Sequence, residues 1–516
     1  MNNKNNYDIF HRGIVYILCA CLLVATFSLG GCKTVNETRE QNLRMKSDLE
    51  RIFIDICAIP RTPSAGEEIN QFVTNKLSEY GVAFTQDDGG NIIADLPATI
   101  GYEKSQQTIL ECHMRSDIVW SSSTIRDNSE DGVQPYIDDK TDEITANGTS
   151  LGASSGMGMT TALYVLDHSE NHGPVKVIFL NATAESIGSA ALIDDSVFAN
   201  ASYIVSLDGY DADNIYTHTA STRTMFAQLG ITRHENTGLN AYVLNASHFL
   251  GGNAGISALE ERGNPVSMIA EFLANVKAAG IMYELCSFDA EASESYIPKE
   301  ARAIVSVNDY EAKKLNSMWE DTVKEYEKTH RNSEPLAAFD IAQTEPPATS
   351  LDSDTTGKVV TFLYSIPTGA YGDELLHAAI GISSVDLGID SFGAHIGSDA
   401  GSRQTINEIS DLVRGAASIS DFEVTTGMLH EGYQIDEGLR LPNLISSAYV
   451  TNFNKSPEML FYPEMSVFTE WTKKNEDLQM VIIGFDISNE GTLTEALSVS
   501  TLDNSAKVLL TFLMEI

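Results

Sequence analysis

Apolar positions along the chain follow two rhythms. The runs VKVIFLNAT and YIVSLDG are nearly continuous and end in turn-forming residues. Such runs predict strands covered on both faces. VAFTQ, NIIADLP, TILECHM and LQMVIIGF predict further strands. Between them the spacing turns helical. One helix is expected from about Met45 to Ala58, a second opens at Glu67 and Glu68, and a third starts after Ser155. A closing helix from about Thr501 gathers Leu502, Leu509, Phe512, Leu513 and Ile516 on one face. Strands alternating with helices predict an α/β fold with helices on both sides of a sheet.

The texture changes near Thr219 and returns after GYQID. The intervening stretch carries two long helical segments, GNPVSMIAEFLANVKAAG and DYEAKKLNSMWEDTVKEYEKTH. The expected organisation is one α/β domain over residues 45–218 and 427–516, interrupted by an inserted α+β domain over 219–426. A polar tether, 32–44, precedes them. The length of 516 residues also suits more than one domain.

Composition narrows the partners. With 72 acidic against 33 basic residues, the net charge is −39. Such a surface repels nucleic acid and excludes it as a partner. Residues 1–31 have a cationic start at Lys4 and Arg12, the apolar run GIVYILCACLLVATFSLGG, and then Cys32. This order resembles a bacterial lipoprotein signal. The resemblance implies cleavage before Cys32, acylation of its sulfur, and anchoring to a lipid membrane outside the cytoplasm, in the cell envelope. A plain N-terminal membrane anchor is the alternative. Cys57, Cys112 and Cys286 are scattered, make no disulfide framework and no zinc motif, and are expected to be buried small hydrophobes.

The glycine-rich stretch GTSLGASSGMGMT, ahead of a helix, marks a candidate pocket. Loops of this kind cradle an anion or present a reactive or metal-binding side chain. Serine is a poor metal ligand, so Ser154 and Ser155 raise the question of what the loop holds.

Several segments, in order, resemble the aminoacyl-histidine dipeptidases, which are carnosinase-like zinc metallopeptidases. PYIDDKTDEITANGTSLGASSGMGM resembles their metal-site loop. IFIDICAIPRTPSAGEEINQFV resembles their opening helix and turn, and DDGGNIIADLPAT a strand that follows. EERGNPVSMIAEFLANV, SYIPKEARAIVSV and YSIPTGAYGDE resemble segments of their inserted lid. The resemblance implies a zinc-peptidase-like α/β domain with a lid that closes on substrate and forms a homodimer.

In that family two zinc ions share a bridging carboxylate and activate water, with a glutamate as general base. Carried over residue by residue, the resemblance keeps His113, Glu185 and Asp208 as metal ligands. Ser154 falls where the bridging Asp belongs, and Ala184 where the base belongs. Arg115 replaces an Asp that would orient His113, a role open to Asp117 only after a local insertion. No His follows His430, so the last ligand is missing, with Gly491 or a neighbour at its place. In the lid, His248 is either a substrate-facing residue or an ordinary polar loop residue, and Arg403 corresponds to a carboxylate-binding Arg. Arg115 is expected to replace the lost metal charge by pairing with Glu185 and Asp208.

Three readings stay open. The favoured one is a lipid-anchored, non-catalytic descendant that binds peptides or amino acids, with no cofactor. The second is a surviving dipeptidase with one Zn²⁺ or Mn²⁺. The third is a structural envelope protein.

Overall fold

The computed structural model describes residues 44–121, 131–183, 187–293, 295–372 and 377–516. The signal, the acylation candidate Cys32 and nearly all of the tether lie outside these, as do Ala184 and Glu185. Among the described residues no helix is long and apolar enough to cross a membrane.

Eight strands build the first sheet. Their order is Ala83–Gln86, Ile92–Leu96, Val175–Leu180, Gln107–His113, Ala201–Gly209, Gln479–Gly484, Ile215–Thr219 and Met459–Tyr462. The four central strands, from Val175–Leu180 to Gln479–Gly484, run parallel. Their apolar continuity has a direct cause: both faces are covered. Leu110, Val177, Phe179 and Val205 join one core, and Ile109, Ile178 and Ile204 join the other. The first core is closed by the helix 44–57, by Glu68–Tyr80, Ala153–His168, Arg440–Phe453 and Asn504–Glu515. Trp471 and Phe468 anchor the second. The fold is therefore the expected α/β arrangement.

The second sheet is assembled from strands between Ser221 and Thr426, in the order Ala338–Thr344, Asn240–Ser247, Ala301–Val307, Tyr283–Ala290, Ala378–Leu387, Ser391–Ala400, Ser221–Gly230 and Glu423–Thr426. All these pairs are antiparallel. Alternation splits its faces. Phe288, Phe392, Ala394, Ala227 and Leu229 turn into a core with the helices Pro265–Ala278, Ser353–Ser365 and Arg403–Ile419. Asp289, Gly393, His395, Phe226 and Gln228 line a cavity on the other side.

The helix Pro265–Ala278 starts as its sequence dictates. Asn264 accepts from the N–H groups of Val266 and Ser267, and Pro265 occupies the first turn. The helix Ala153–His168 is buried along almost its whole length. Gly158 lets it approach the sheet: a Cβ there would lie 2.8 Å from the Leu207 carbonyl oxygen and 3.0 Å from Cys112 Cβ.

Candidate active-site pocket

The site forms where the parallel strands end, the usual binding edge of such a sheet. His113 is the last residue of its strand, and Asp208 is the last but one of the neighbouring strand. The Nδ1 atom of His113 lies 3.3 Å from Oδ2 of Asp208 and 3.5 Å from Oε1 of Glu111. All three are buried. Burial opposes charge on the imidazole, but Asp208 and Glu111 outweigh it and push its pKa up to about 9. Burial raises the Glu111 carboxyl, against the opposing pull of His113. The outer nitrogen of His113, Nε2, has no hydrogen-bond partner among the described residues.

The glycine-rich loop is held from two sides. Glu495 accepts from the backbone N–H groups of Leu151 at 3.0 Å, Gly152 at 3.1 Å and Ala153 at 2.7 Å. A carboxylate thus closes the free donors at the head of the helix, where its charge also suits the helix dipole. Arg61, itself buried, donates to the carbonyls of Leu151 and Gly152 and to the Ser155 hydroxyl. Gly152 adopts φ +62°, and a Cβ there would meet Arg61, Ser116 and Ile118.

That arrangement answers the question the serines raised. Ser155 is part of the loop's support. Ser154 lines the inner cavity together with Glu490. Burial and the neighbouring Glu495 push the Glu490 carboxyl up to about 8, with the Ser154 hydroxyl acting the other way. Tyr462 donates to the Asp208 carbonyl at 3.2 Å and to Glu464 Oε2 at 3.0 Å. Burial holds its phenol well above its ordinary pKa, so it stays a neutral donor.

Several expectations need correction. Arg115 does not pair with Asp208: its donors go to Asn181 Oδ1, Asn70 Oδ1 and the carbonyls of Ala65 and Gly66. These acceptors match the planar guanidinium fork and tie the strand end to the turn before Glu68–Tyr80. Glu185, its other expected partner, lies outside the described residues. Asp117 does not orient His113; it is exposed where the two cavities meet, and Glu111 and Asp208 flank the imidazole instead. His248 is in the inserted domain but exposed, with φ +60°, and its Nδ1 bonds the Ser247 hydroxyl at 3.0 Å. Arg403 is exposed at a helix start and pairs with Glu431. Neither His248 nor Arg403 lines the inner or the outer cavity.

Sequence reading missed Glu111, Glu490, Glu495 and Arg61. Gly491 does border both cavities, but the functional group beside it belongs to Glu490. Cys57, Cys112 and Cys286 are free and buried, as expected.

The inner cavity measures about 60 Å³ and the outer one, between the two domains, about 1240 Å³. They share Asp117, Tyr296 and Gly491 as walls.

Among the described residues the donor set does not suit a bridged metal pair. A neutral hydroxyl, Ser154, stands at the bridging place of the resemblance, and the one imidazole of the inner cavity is flanked at Nδ1 by two carboxylates. Among the described residues no group of three or more His, Cys, Asp or Glu side chains is arranged to hold a metal ion.

The described residues form an α/β domain with a strand-end pocket, interrupted by a domain built on an antiparallel sheet. No family model matches the chain. It is 24% identical over 479 residues to a cytosol non-specific dipeptidase of Escherichia coli, covering 90% of this chain and 96% of the relative. Its fold is similar to that of an aminoacylhistidine dipeptidase from Vibrio alginolyticus, with TM-score 0.63 and 20% identity over 91% of this chain and 96% of that one. A dipeptidase from Saccharomyces cerevisiae is also similar, with TM-score 0.52 and 9% identity over 91% and 96%. The chain is thus a homologue of the dipeptidase family that its motifs resemble.

Proposed function

We propose that this chain is a non-hydrolytic member of the dipeptidase scaffold that binds peptides or amino acids in the cleft between its domains. The observation that carries the reading is that a serine, Ser154, lines the inner cavity together with Glu490 and the His113–Asp208 pair. Hydrolysis by the family route needs a bridging carboxylate and a general base. A serine hydroxyl cannot supply the first, and Ala184, at the base position of the resemblance, cannot supply the second. The His113 imidazole lies between the Asp208 and Glu111 carboxylates where the relatives' chemistry calls for dications.

The N-terminal pattern supports a second part of the proposal. Acylation at Cys32 would fix the protein to a membrane on the extracytoplasmic side of a bacterial envelope, with the acidic domains in solution. A homodimer through the inserted domain follows from the family resemblance. Calorimetric titration of the purified protein with Ala-His and with short alanine peptides tests binding. Saturable heat without hydrolysis supports the proposal. Turnover of Ala-His with one bound Zn²⁺ or Mn²⁺ would establish the mononuclear hydrolase instead, a reading favoured by the unpartnered Nε2 of His113.

A further inference from the structure

The outer cavity contains a charge that the rest of the molecule does not explain. Lysines elsewhere find carboxylates readily in so acidic a chain, as in Lys76–Glu79, Lys176–Asp95 and Lys455–Asp213. Lys299 lines the cavity, and its Nζ is buried with no hydrogen-bond partner among the described residues. An ammonium withdrawn from water without an acceptor is costly, unless an anion joins it.

The backbone is shaped around this side chain. Gly251, at φ +68°, lies against the Lys299 stem: a Cβ there would come 2.9 Å from Lys299 Cγ. At Gly252, φ +97°, a Cβ would come 2.4 Å from Arg262 Nη1. The glycine pair thus admits two cations side by side. Arg262 is already engaged, with Glu260 and with the Gly251 carbonyl at 2.7 Å. Lys299 is the one left open. Burial and the adjacent Arg262 lower its pKa to about 8, a shift that a bound anion would reverse.

The other walls restrict which anion fits. Asp117, Asp289, Glu291, Glu300 and Asp386 also line the space, against the cation Arg302, and this acidic excess disfavours a multiply charged ligand such as a phosphate ester. Asp289 faces Arg302 on one neighbouring strand and Asp386 on the other, which leaves Asp386 to favour a neutral or cationic ligand body. At about 1240 Å³ the cavity exceeds the about 300–1,000 Å³ of ordinary small-ligand pockets. A single carboxylate on a long, otherwise uncharged or basic body meets all three conditions.

We infer that Lys299 anchors the C-terminal carboxylate of a peptide longer than a dipeptide, held in the outer cavity. The inference rests on the peptide-binding reading, but its test separates the two. Penta-alanine with a free carboxyl should bind the purified protein at least about tenfold more tightly than penta-alanine amide, the scale of one charge-assisted hydrogen bond. Lys299→Gln should remove that difference. On the unaltered protein, penta-alanine and sodium acetate should both slow acylation of Lys299 by an activated ester, read by peptide mass mapping, and the amide should not. Equal affinity for acid and amide, or no protection by either carboxylate, overturns the assignment. Protection by acetate with no binding of any peptide retains the anion subsite and removes the peptide reading.

Discussion

The imidazole of His113 and the carboxylate of Asp208 meet at 3.3 Å at the ends of adjacent parallel strands, both withdrawn from solvent. Removing one member of such a buried pair strands the other charge. Asp208→Ala should therefore destabilise the fold by about 3 kcal/mol, read by urea unfolding. A loss below about 1 kcal/mol, the range of a solvent-exposed pair, would show that the two groups are not coupled in this way.

Glu495 closes three backbone donors and faces Arg61 across the glycine-rich loop. Glu495→Ala leaves those N–H groups and a buried guanidinium without their anion. The expected loss is about 3 kcal/mol in urea, larger than that of a surface cap. Unchanged stability would mean the loop is held by its glycines alone.

Gly158 sets the distance between the buried helix and the sheet. Gly158→Val places carbon atoms against the Leu207 carbonyl and Cys112, so the helix must move outward. Overpacking of this kind costs about 1–3 kcal/mol, and a calorimetric melt should record it. A melt equal to that of the unaltered protein would contradict the close approach.

Glu334 gives the inserted domain a pH dependence. It accepts from the N–H groups of Leu250 and Gly263, and burial raises its carboxyl from 4.5 to about 7. The folded state therefore holds this proton more tightly than the unfolded state. Its contribution to stability is complete below about pH 4.5 and is lost as the pH rises through about 7. Glu334→Gln should lower stability at every pH, since its NH₂ faces one of those donors, and should flatten the slope between these limits. Urea midpoints at a series of pH values give the comparison, and an unchanged slope would contradict it.

Much of the architecture was legible because it depends on local pattern. Doubly covered strands read as continuous apolar runs, and the inserted domain read as a change of texture with two long helices, without the order of its strands. The site was legible only in part. Glu111 interrupts the run TILECHM, two residues before His113, so strand period alone puts both on one face. Glu490 adjoins Gly491, where the resemblance calls for a histidine, so its carboxylate fell outside the expected ligand set. Arg115 was misplaced for a different reason. It follows the strand end as expected, but the acceptors at Ala65, Gly66 and Asn70 come from a distant turn and the helix after it, which no local pattern reveals. Arg61 and Glu495 are separated from the loop they hold by about 90 and 340 residues, and only the folded chain brings them together.

The central claim is that protein groups have taken over the place of the metal pair. Metal content and hydrolysis of Ala-His, measured on the same purified protein after incubation with Zn²⁺ and with Mn²⁺ and removal of the excess, test it most directly. The account predicts no stoichiometric metal and no turnover. One or two retained ions per chain together with release of free histidine would contradict it.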